Sequence, residues 1–90
     1  MQFTMMRTLA VAEARGVSRS QLYIDVEAGL VTPPIKRSTN INVWPSTEIE
    51  AINRLEASGA SQDELRALVR QLIAQRQQGR IAPPMSTAAA

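Results

Sequence analysis

Four glycines divide this chain into segments of helical length and limit the folds open to it. They are Gly16, Gly29, Gly59 and Gly79, and each follows a stretch with helical character. Because glycine readily adopts the left-handed conformation that ends a helix, this spacing predicts several short helices rather than one long one. We predict helices over about 8–15, 19–28, 47–58 and 62–78. The first of them is expected to bury Leu9 and Ala12 on one face, with Val11 as a further candidate for that face.

One segment carries β signals instead of helical ones. Two short runs, 35–37 and 41–44, flank the turn-forming sequence S-T-N at 38–40. Pro45 ends the second run. We therefore predict a small β-hairpin that packs on the helices. The predicted fold class is mostly α with a small β-hairpin.

The composition excludes several classes of function. The 90 residues contain no cysteine and no histidine, which rules out disulfides, zinc fingers and His-based catalysis. The carboxylates are scattered and there is no glycine-rich phosphate loop, so we expect neither an enzyme nor a bound cofactor. The longest apolar run, residues 9–12, is far too short for a signal core or a membrane span, and we expect a cytoplasmic protein.

Positive charge is concentrated in the first half of the chain. Residues 1–45 contain five basic and three acidic residues, whereas residues 46–90 contain five of each. The whole net charge of +2 therefore belongs to the first half. This asymmetry favours a polyanionic partner for that part of the protein.

The sequence around Gly16 has the spacing of a helix-turn-helix. The turn between the first two helices is short enough to fix them at a steep angle, and Ser18 is a suitable N-cap for the second. In this geometry the start of the second helix reaches the major groove of DNA. Its candidate contacts to phosphates and base edges are Ser18, Arg19, Ser20, Gln21 and Tyr23. The alternative is a plain helical hairpin, in which Ser18 is only a cap.

The predicted hairpin is basic and polar. Its candidate DNA contacts are Lys36, Arg37, Ser38, Thr39 and Asn40, and no acidic residue lies between Pro34 and Pro45. A basic hairpin beside a helix-turn-helix is suited to act as a wing that contacts the DNA backbone or the minor groove. The alternative is a solvated edge strand, where lysine discourages aggregation.

Four segments resemble a known family of DNA-binding proteins. They are V-S-R-S-Q-L-Y at 17–23, E-A-G-L-V at 27–31, P-P-I-K at 33–36 and V-W-P-S-T-E-I at 43–49. Over about residues 5–57 the chain is similar to the winged helix-turn-helix of AlpA-like phage regulators and related excisionases, which are cousins of the MerR DNA-binding domain. The resemblance implies that the helix starting at Ser18 enters the major groove and that the hairpin contacts the adjacent minor groove. It also implies a DNA-binding domain at 1–57, with Trp44 in its core.

The same resemblance implies two roles. One is that of an excisionase, which binds in several copies beside an attachment site, bends DNA and directs an integrase to excise a mobile element. The other is that of a transcriptional regulator of a phage or integrative element. The expected partners are double-stranded DNA, an integrase, and further copies of the chain in a dimer or head-to-tail array. We favour the excisionase, because one small module buries too little surface for tight binding alone.

The last helix, within residues 58–79, carries an apolar stripe with a period near 3.6. S-Q-D-E at 61–64 is a capping box that starts this helix, and T-E-I-E at 47–50 fits the same pattern for the third. The stripe consists of Leu65, Leu68, Val69, Leu72 and Ile73. It either completes the protein's own core or contacts another protomer, and the candidate protomer contacts are Leu65, Leu68, Val69 and Leu72.

A protein-interaction adaptor that uses the helix at 62–78 as its ligand is the alternative from another class of function. Residues 80–90 show no periodicity and are predicted to form a disordered tail.

Overall fold

The computed structural model describes residues 3–79, which form four helices and a three-stranded antiparallel sheet. The strands are β1 (Met5–Arg7), β2 (Ile35–Ser38) and β3 (Ile41–Pro45). The helices are α1 (Thr8–Arg15), α2 (Arg19–Glu27), α3 (Ser46–Ala57) and α4 (Gln62–Gly79). All four predicted helices are present, while the predicted tail at 80–90 lies outside the described residues. Within residues 3–79, no helix has the length and apolar character that a membrane crossing requires.

The turn between α1 and α2 forms as its sequence predicts. Gly16 has a φ of 72°, in the left-handed region that favours glycine. The Val17 N–H donates to the Ala12 carbonyl at 3.0 Å, which closes the C-terminal end of α1. Ser18 then caps α2, because its Oγ accepts a hydrogen bond from the Gln21 N–H at 3.1 Å.

The predicted hairpin is present, but it belongs to a larger sheet. β3 is the central strand and pairs antiparallel with β2 on one side and with β1 on the other. The register places Met5 opposite Pro45 and Met6 opposite Trp44. The predicted hairpin thus supplies two of the three strands, and β1 is a strand that was not predicted. M-M-R at 5–7 has no alternation of apolar and polar residues, and it becomes a strand only by pairing with residues far along the chain.

The core lies between the helices and one face of the sheet. Trp44 is completely buried, and its Nε1–H donates to the Thr32 carbonyl at 2.7 Å, which confirms the predicted core position. The same cluster contains Val11, Ala12, Leu22, Val31, Ile49, Ile52, Leu65, Val69 and Leu72. Since every helix contributes to this cluster, all four are held by one core.

The predicted burial of Leu9 on the inner face of α1 is wrong. Its side chain is 57% exposed, whereas Val11 and Ala12 are buried. In an eight-residue, alanine-rich helix the pattern favours neither side strongly. Packing of α1 against β3 and α3 decides which residues are covered, and that packing depends on the whole fold.

The start of α3 differs from the predicted capping box. The helix begins at Ser46, and no side chain caps it. The Ser46 Oγ instead accepts a hydrogen bond from the Thr4 N–H at 3.0 Å, and the Ser46 N–H donates to the Thr4 carbonyl at 2.7 Å. Glu48 is buried and binds Arg76 of α4 rather than a backbone N–H of its own helix. The Thr4 carbonyl, in the segment leading into β1, thus pairs with the first free N–H of α3.

Helix α4 packs on the rest of the protein, which is one of the two alternatives for its apolar stripe. Leu65, Val69 and Leu72 are buried, and Leu68 and Ile73 pack half-buried against the same core. The predicted capping box is confirmed. The Ser61 N–H donates to the Glu64 carboxylate at 2.8 Å, and the Glu64 N–H donates to the Ser61 hydroxyl at 3.2 Å.

Candidate nucleic-acid interface

Three elements meet at the hydroxyl of Tyr23, a residue that is 37% exposed. Tyr23 projects from the second turn of α2, and its oxygen accepts a hydrogen bond from Asn42 Nδ2 of β3 at 3.0 Å. The same oxygen lies 3.2 Å from Oγ1 of Thr8, at the start of α1. The ring centroid is 6.3 Å from that of Trp44. Tyr23 therefore fixes the start of α2 relative to both the sheet and α1.

Two cations lie beside this hydroxyl. Arg19 precedes Tyr23 by one turn of α2, and Lys36 lies opposite Asn42 in the register of β2 and β3. The pKa of the Tyr23 hydroxyl is lowered below its ordinary value near 10. The largest causes are its hydrogen bonds to Thr8 and Asn42; burial opposes them, and the charges of Arg19 and Lys36 add to the lowering. Arg19 shares a flank of α2 with Tyr23, and Lys36 pairs with Asn42, which binds the Tyr23 hydroxyl, so the two cations lie on the same side of the protein.

A cleft of about 500 Å³ opens next to this cluster. The polar side chains in its lining are Arg7, Thr8, Glu13, Arg19, Asn40 and Asn42. Most of these groups are hydrogen-bond donors, and Glu13 is the acid among them. Guanidinium, amide and hydroxyl donors of this kind are the groups that contact phosphate oxygens and base edges in protein–DNA complexes.

Most other cations of the described chain are paired with carboxylates. Ion pairs join Arg15 to Glu56, Arg54 to Glu50, Arg66 to Asp63 and Arg76 to Glu48. Within residues 3–79, five basic residues form no such pair: Arg7, Arg19, Lys36, Arg37 and Arg70. The first four belong to β1, α2 and β2, the elements around Tyr23. The unpaired cations are therefore concentrated there, and Glu13, Asp25 and Glu27 of α1 and α2 are the acids of the same part that form no ion pair within residues 3–79.

The five residues predicted to contact DNA from α2 are all exposed, but they do not share one flank. Arg19 and Gln21 lie on opposite flanks of the helix, because successive residues are about 100° apart around its axis, and Ser20 lies on the outward side between them. Arg19 shares the flank of Tyr23, which faces the sheet. Gln21 Nε2 donates to Asp25 Oδ1 at 2.9 Å. The Ser18 hydroxyl is already used as the cap of α2.

The predicted wing is an exposed edge of the sheet. Lys36, Arg37 and Ser38 lie in β2, and Thr39 and Asn40 form the turn, all of them exposed. The register of β2 shifts after Lys36, which leaves Arg37 as the extra residue of a bulge. Two wing residues adjoin the start of α2. Lys36 pairs with Asn42, which binds Tyr23, and Asn40 lines the cleft together with Arg19.

The residues predicted as a possible protomer contact are not exposed. Leu65, Val69 and Leu72 are at most 8% exposed, and Leu68 packs half-buried on the core. These side chains serve the protein's own core, so a contact between copies would use other surfaces. Self-association itself stays a prediction.

Arg7 and Thr8 belong to this face, although no sequence motif marks them. Both are placed by β1, whose pairing with β3 brings the start of α1 beside α2. The one local signal is a basic residue and a hydroxyl directly before a helix, a pattern too common to mark a site. Their position follows from long-range pairing.

Tyr23 is the only tyrosine of the chain, so its ionisation can be followed alone by absorbance at 295 nm. We expect the phenolate to form at lower pH in the folded protein than in the chain unfolded in urea, because hydrogen bonds and nearby cations stabilise it. The sign of the linkage follows: stability increases as pH rises through this lowered pKa. Asn42→Ala should move the titration back toward the unfolded value, whereas Ser20→Ala should not. Coincident curves for folded and unfolded wild type would contradict the hydrogen-bonded arrangement.

Compared with known proteins, the chain matches no family model, no curated protein and no solved structure. The case for a function therefore rests on the residues and their geometry.

Proposed function

We propose that this protein binds double-stranded DNA sequence-specifically as a winged helix-turn-helix. In this proposal the first two turns of α2 enter the major groove, and the β2–β3 hairpin contacts the backbone or the adjacent minor groove. The observation that carries the proposal is the position of Arg19 and Lys36. Arg19 lies one turn before Tyr23 on α2, and Lys36 pairs with Asn42, which donates to the Tyr23 hydroxyl. The two elements that should contact DNA thus present their cations together.

The charge distribution supports the same face. Phosphate contacts supply most of the sequence-independent affinity for DNA, and they require cations that are free of intramolecular partners. Arg7, Arg19, Lys36 and Arg37 form no ion pair within residues 3–79. Arg19 is also the residue type that pairs in bidentate fashion with guanine.

The hydrogen bonds of Tyr23 support a fixed geometry between helix and hairpin. Asn42 belongs to the hairpin, and its bond to Tyr23 joins β3 directly to α2. A surface that is arranged before binding loses less conformational freedom when DNA arrives. The recognition helix and the wing would therefore approach the duplex as one unit.

We propose further that this binding serves the excision of a mobile element in the bacterial cytoplasm, with regulation of transcription from such an element as the alternative. The resemblance over residues 5–57 supports both roles. Several copies and an integrase are the expected partners, because one module of this size binds weakly alone. Footprinting separates the two roles: a row of protected sites beside the attachment site supports excision, and protection confined to a promoter supports regulation.

The competing class is an adaptor that presents the helix at 62–78 to another protein. Its ligand surface would be the apolar stripe of α4. Leu65 and Val69 are at most 5% exposed, so the centre of this stripe is covered by the protein itself. This burial favours the DNA-binding proposal over the adaptor.

Arg19→Ala is expected to weaken binding to a selected duplex by about 1–3 kcal/mol, a rise of roughly 5- to 150-fold in Kd. Fluorescence anisotropy of the full chain with a labelled duplex measures this change. Arg54→Ala is a matched control, because it also removes one positive charge and its side chain is 78% exposed. Equal weakening by the two variants would mean that net charge matters and the position of Arg19 does not.

Lys36→Ala combined with Arg37→Ala is expected to weaken binding to all sequences by a similar factor. The slope of log Kd against log salt concentration should fall by about 2, since each phosphate contact contributes about 0.9. The ratio of affinities for the selected and an unrelated duplex should stay the same. An unchanged salt slope would remove the hairpin from the proposed interface.

A further inference from the structure

Ile24 is the most exposed large hydrophobic residue of the described chain, at 58%. It lies in the second turn of α2, four residues after Ser20. An isoleucine in this position is unfavourable for the isolated protein, because it leaves apolar surface in water and has lower helix propensity than alanine. Neither the local structure nor the core therefore accounts for it.

The position of Ile24 is opposite the buried side of α2. Leu22 is completely buried and Val26 packs against the core, and each is about 160° from Ile24 around the helix axis. Ile24 and Ser20, one turn apart, therefore form the outward line of the helix, flanked by Arg19 and Gln21. Residues that contact bases from a helix in the major groove recur at this spacing of three or four positions.

On the basis of the proposed function, we infer that Ile24 contacts the 5-methyl group of a thymine in the major groove and so selects a T·A pair. The thymine methyl is the apolar group that base pairs of unmodified DNA display in this groove, and aliphatic side chains contact it. Contact with this methyl covers the side chain that the protein leaves exposed. Arg19 lies on the flank of α2 that faces the sheet and Lys36 lies on the adjacent hairpin, so a duplex held by both cations borders the outward line of Ser20 and Ile24.

Glu27 limits how far along α2 this contact extends. It is exposed and lies three residues after Ile24, on a neighbouring part of the surface. Its carboxylate repels phosphates and can accept only from base amino groups, those of cytosine and adenine. The contact that selects thymine therefore falls in the first two turns of the helix, before Glu27.

Deoxyuridine substitution tests this inference, because it removes the thymine methyl and leaves all hydrogen-bonding groups unchanged. The full chain is first used to select a bound duplex from a random-sequence library, and each thymine of that duplex is then replaced singly by deoxyuridine. We expect one position per bound copy at which the replacement weakens wild-type binding about four-fold, the value of burying one methyl-sized group, about 0.8 kcal/mol. Ile24→Ala should bind the thymine and uracil duplexes equally, whereas Ile24→Val should keep most of the preference.

Phe3→Ala is the matched control, because Phe3 is 56% exposed and lies outside the proposed interface. It should keep the full preference for thymine. If a duplex is selected but every deoxyuridine replacement is neutral, or if Ile24→Ala keeps the preference, the contact with Ile24 is overturned while the DNA-binding proposal stands. If the library yields no enriched sequence, both are overturned.

Discussion

Replacing Trp44 by alanine is expected to lower the free energy of unfolding by about 3–5 kcal/mol. The side chain is completely buried at the centre of the sheet, where it joins β3 to the helices. The substitution leaves a cavity in a small core. It also removes the hydrogen bond of 2.7 Å that the Trp44 Nε1–H donates to the Thr32 carbonyl. A loss of this size is a large part of the stability of a domain this small.

Circular dichroism at 222 nm during urea unfolding measures the effect, since fluorescence is lost with the chain's only tryptophan. Trp44→Phe separates the two contributions, because it retains much of the apolar volume but not the N–H donor. It should fall between wild type and Trp44→Ala. Phe3→Ala, at an exposed position, should change stability little. If Trp44→Ala unfolds at the same urea concentration as wild type, Trp44 cannot be the centre of the core.

The second large effect is expected at the ion pair between α3 and α4. Arg76 binds both carboxylate oxygens of Glu48, with Nε to Oε2 at 2.7 Å and Nη2 to Oε1 at 2.6 Å. The hydroxyl of Thr32 donates to Oε1 at 2.8 Å. Arg76→Met leaves a carboxylate that is 8% exposed without its cation. We expect a loss of about 3 kcal/mol, at the lower end for breaking a buried pair, because the arginine side chain keeps 20% of its exposure.

Arg70→Met is the matched control for this variant. Arg70 is exposed on the same helix, so its replacement removes the same charge without uncovering a buried partner, and we expect a change within about 0.5 kcal/mol. The double variant Glu48→Gln with Arg76→Met should be more stable than the sum of the single losses, since neither charge remains unpaired. Equal unfolding midpoints for Arg76→Met and Arg70→Met would show that the pair does not hold α4.

Local patterns predicted the helices well where the start and stop signals lie in neighbouring residues. Gly16 and Ser18 specify the turn between α1 and α2 through backbone conformation and capping, which involve only neighbouring residues. The capping box at 61–64 is of the same kind. These features need no knowledge of the rest of the fold.

The missed features are those that depend on distant partners. β1 exists because residues 5–7 pair with β3, and the same pairing brings Thr4 to the start of α3. Glu48 fits a capping box by its position in the sequence, but the burial of α4 on α3 makes a bidentate pair with Arg76 the better use of its carboxylate. No local pattern distinguishes these two outcomes.

The candidate interface was likewise predictable where neighbouring residues mark it, and not where it depends on distant partners. Arg19 and the hairpin cations stand out in the sequence because they follow a cap or flank a turn. The central role of Tyr23 does not, because its bonds to Thr8 and Asn42 join three elements. The exposure of Ile24 was predictable, because Leu22 and Val26 at i, i+4 mark the opposite side of α2 as buried.

The partners of the Glu48–Arg76 pair are 28 residues apart in sequence, and this separation has a consequence during synthesis. A nascent chain emerges from the ribosome amino end first, so Glu48 leaves the exit tunnel well before Arg76. Until the later turns of α4 emerge, burial of Glu48 would leave an unneutralised carboxylate inside the growing domain. Native packing of the sheet with the first three helices therefore waits for the chain beyond residue 76 to clear the tunnel.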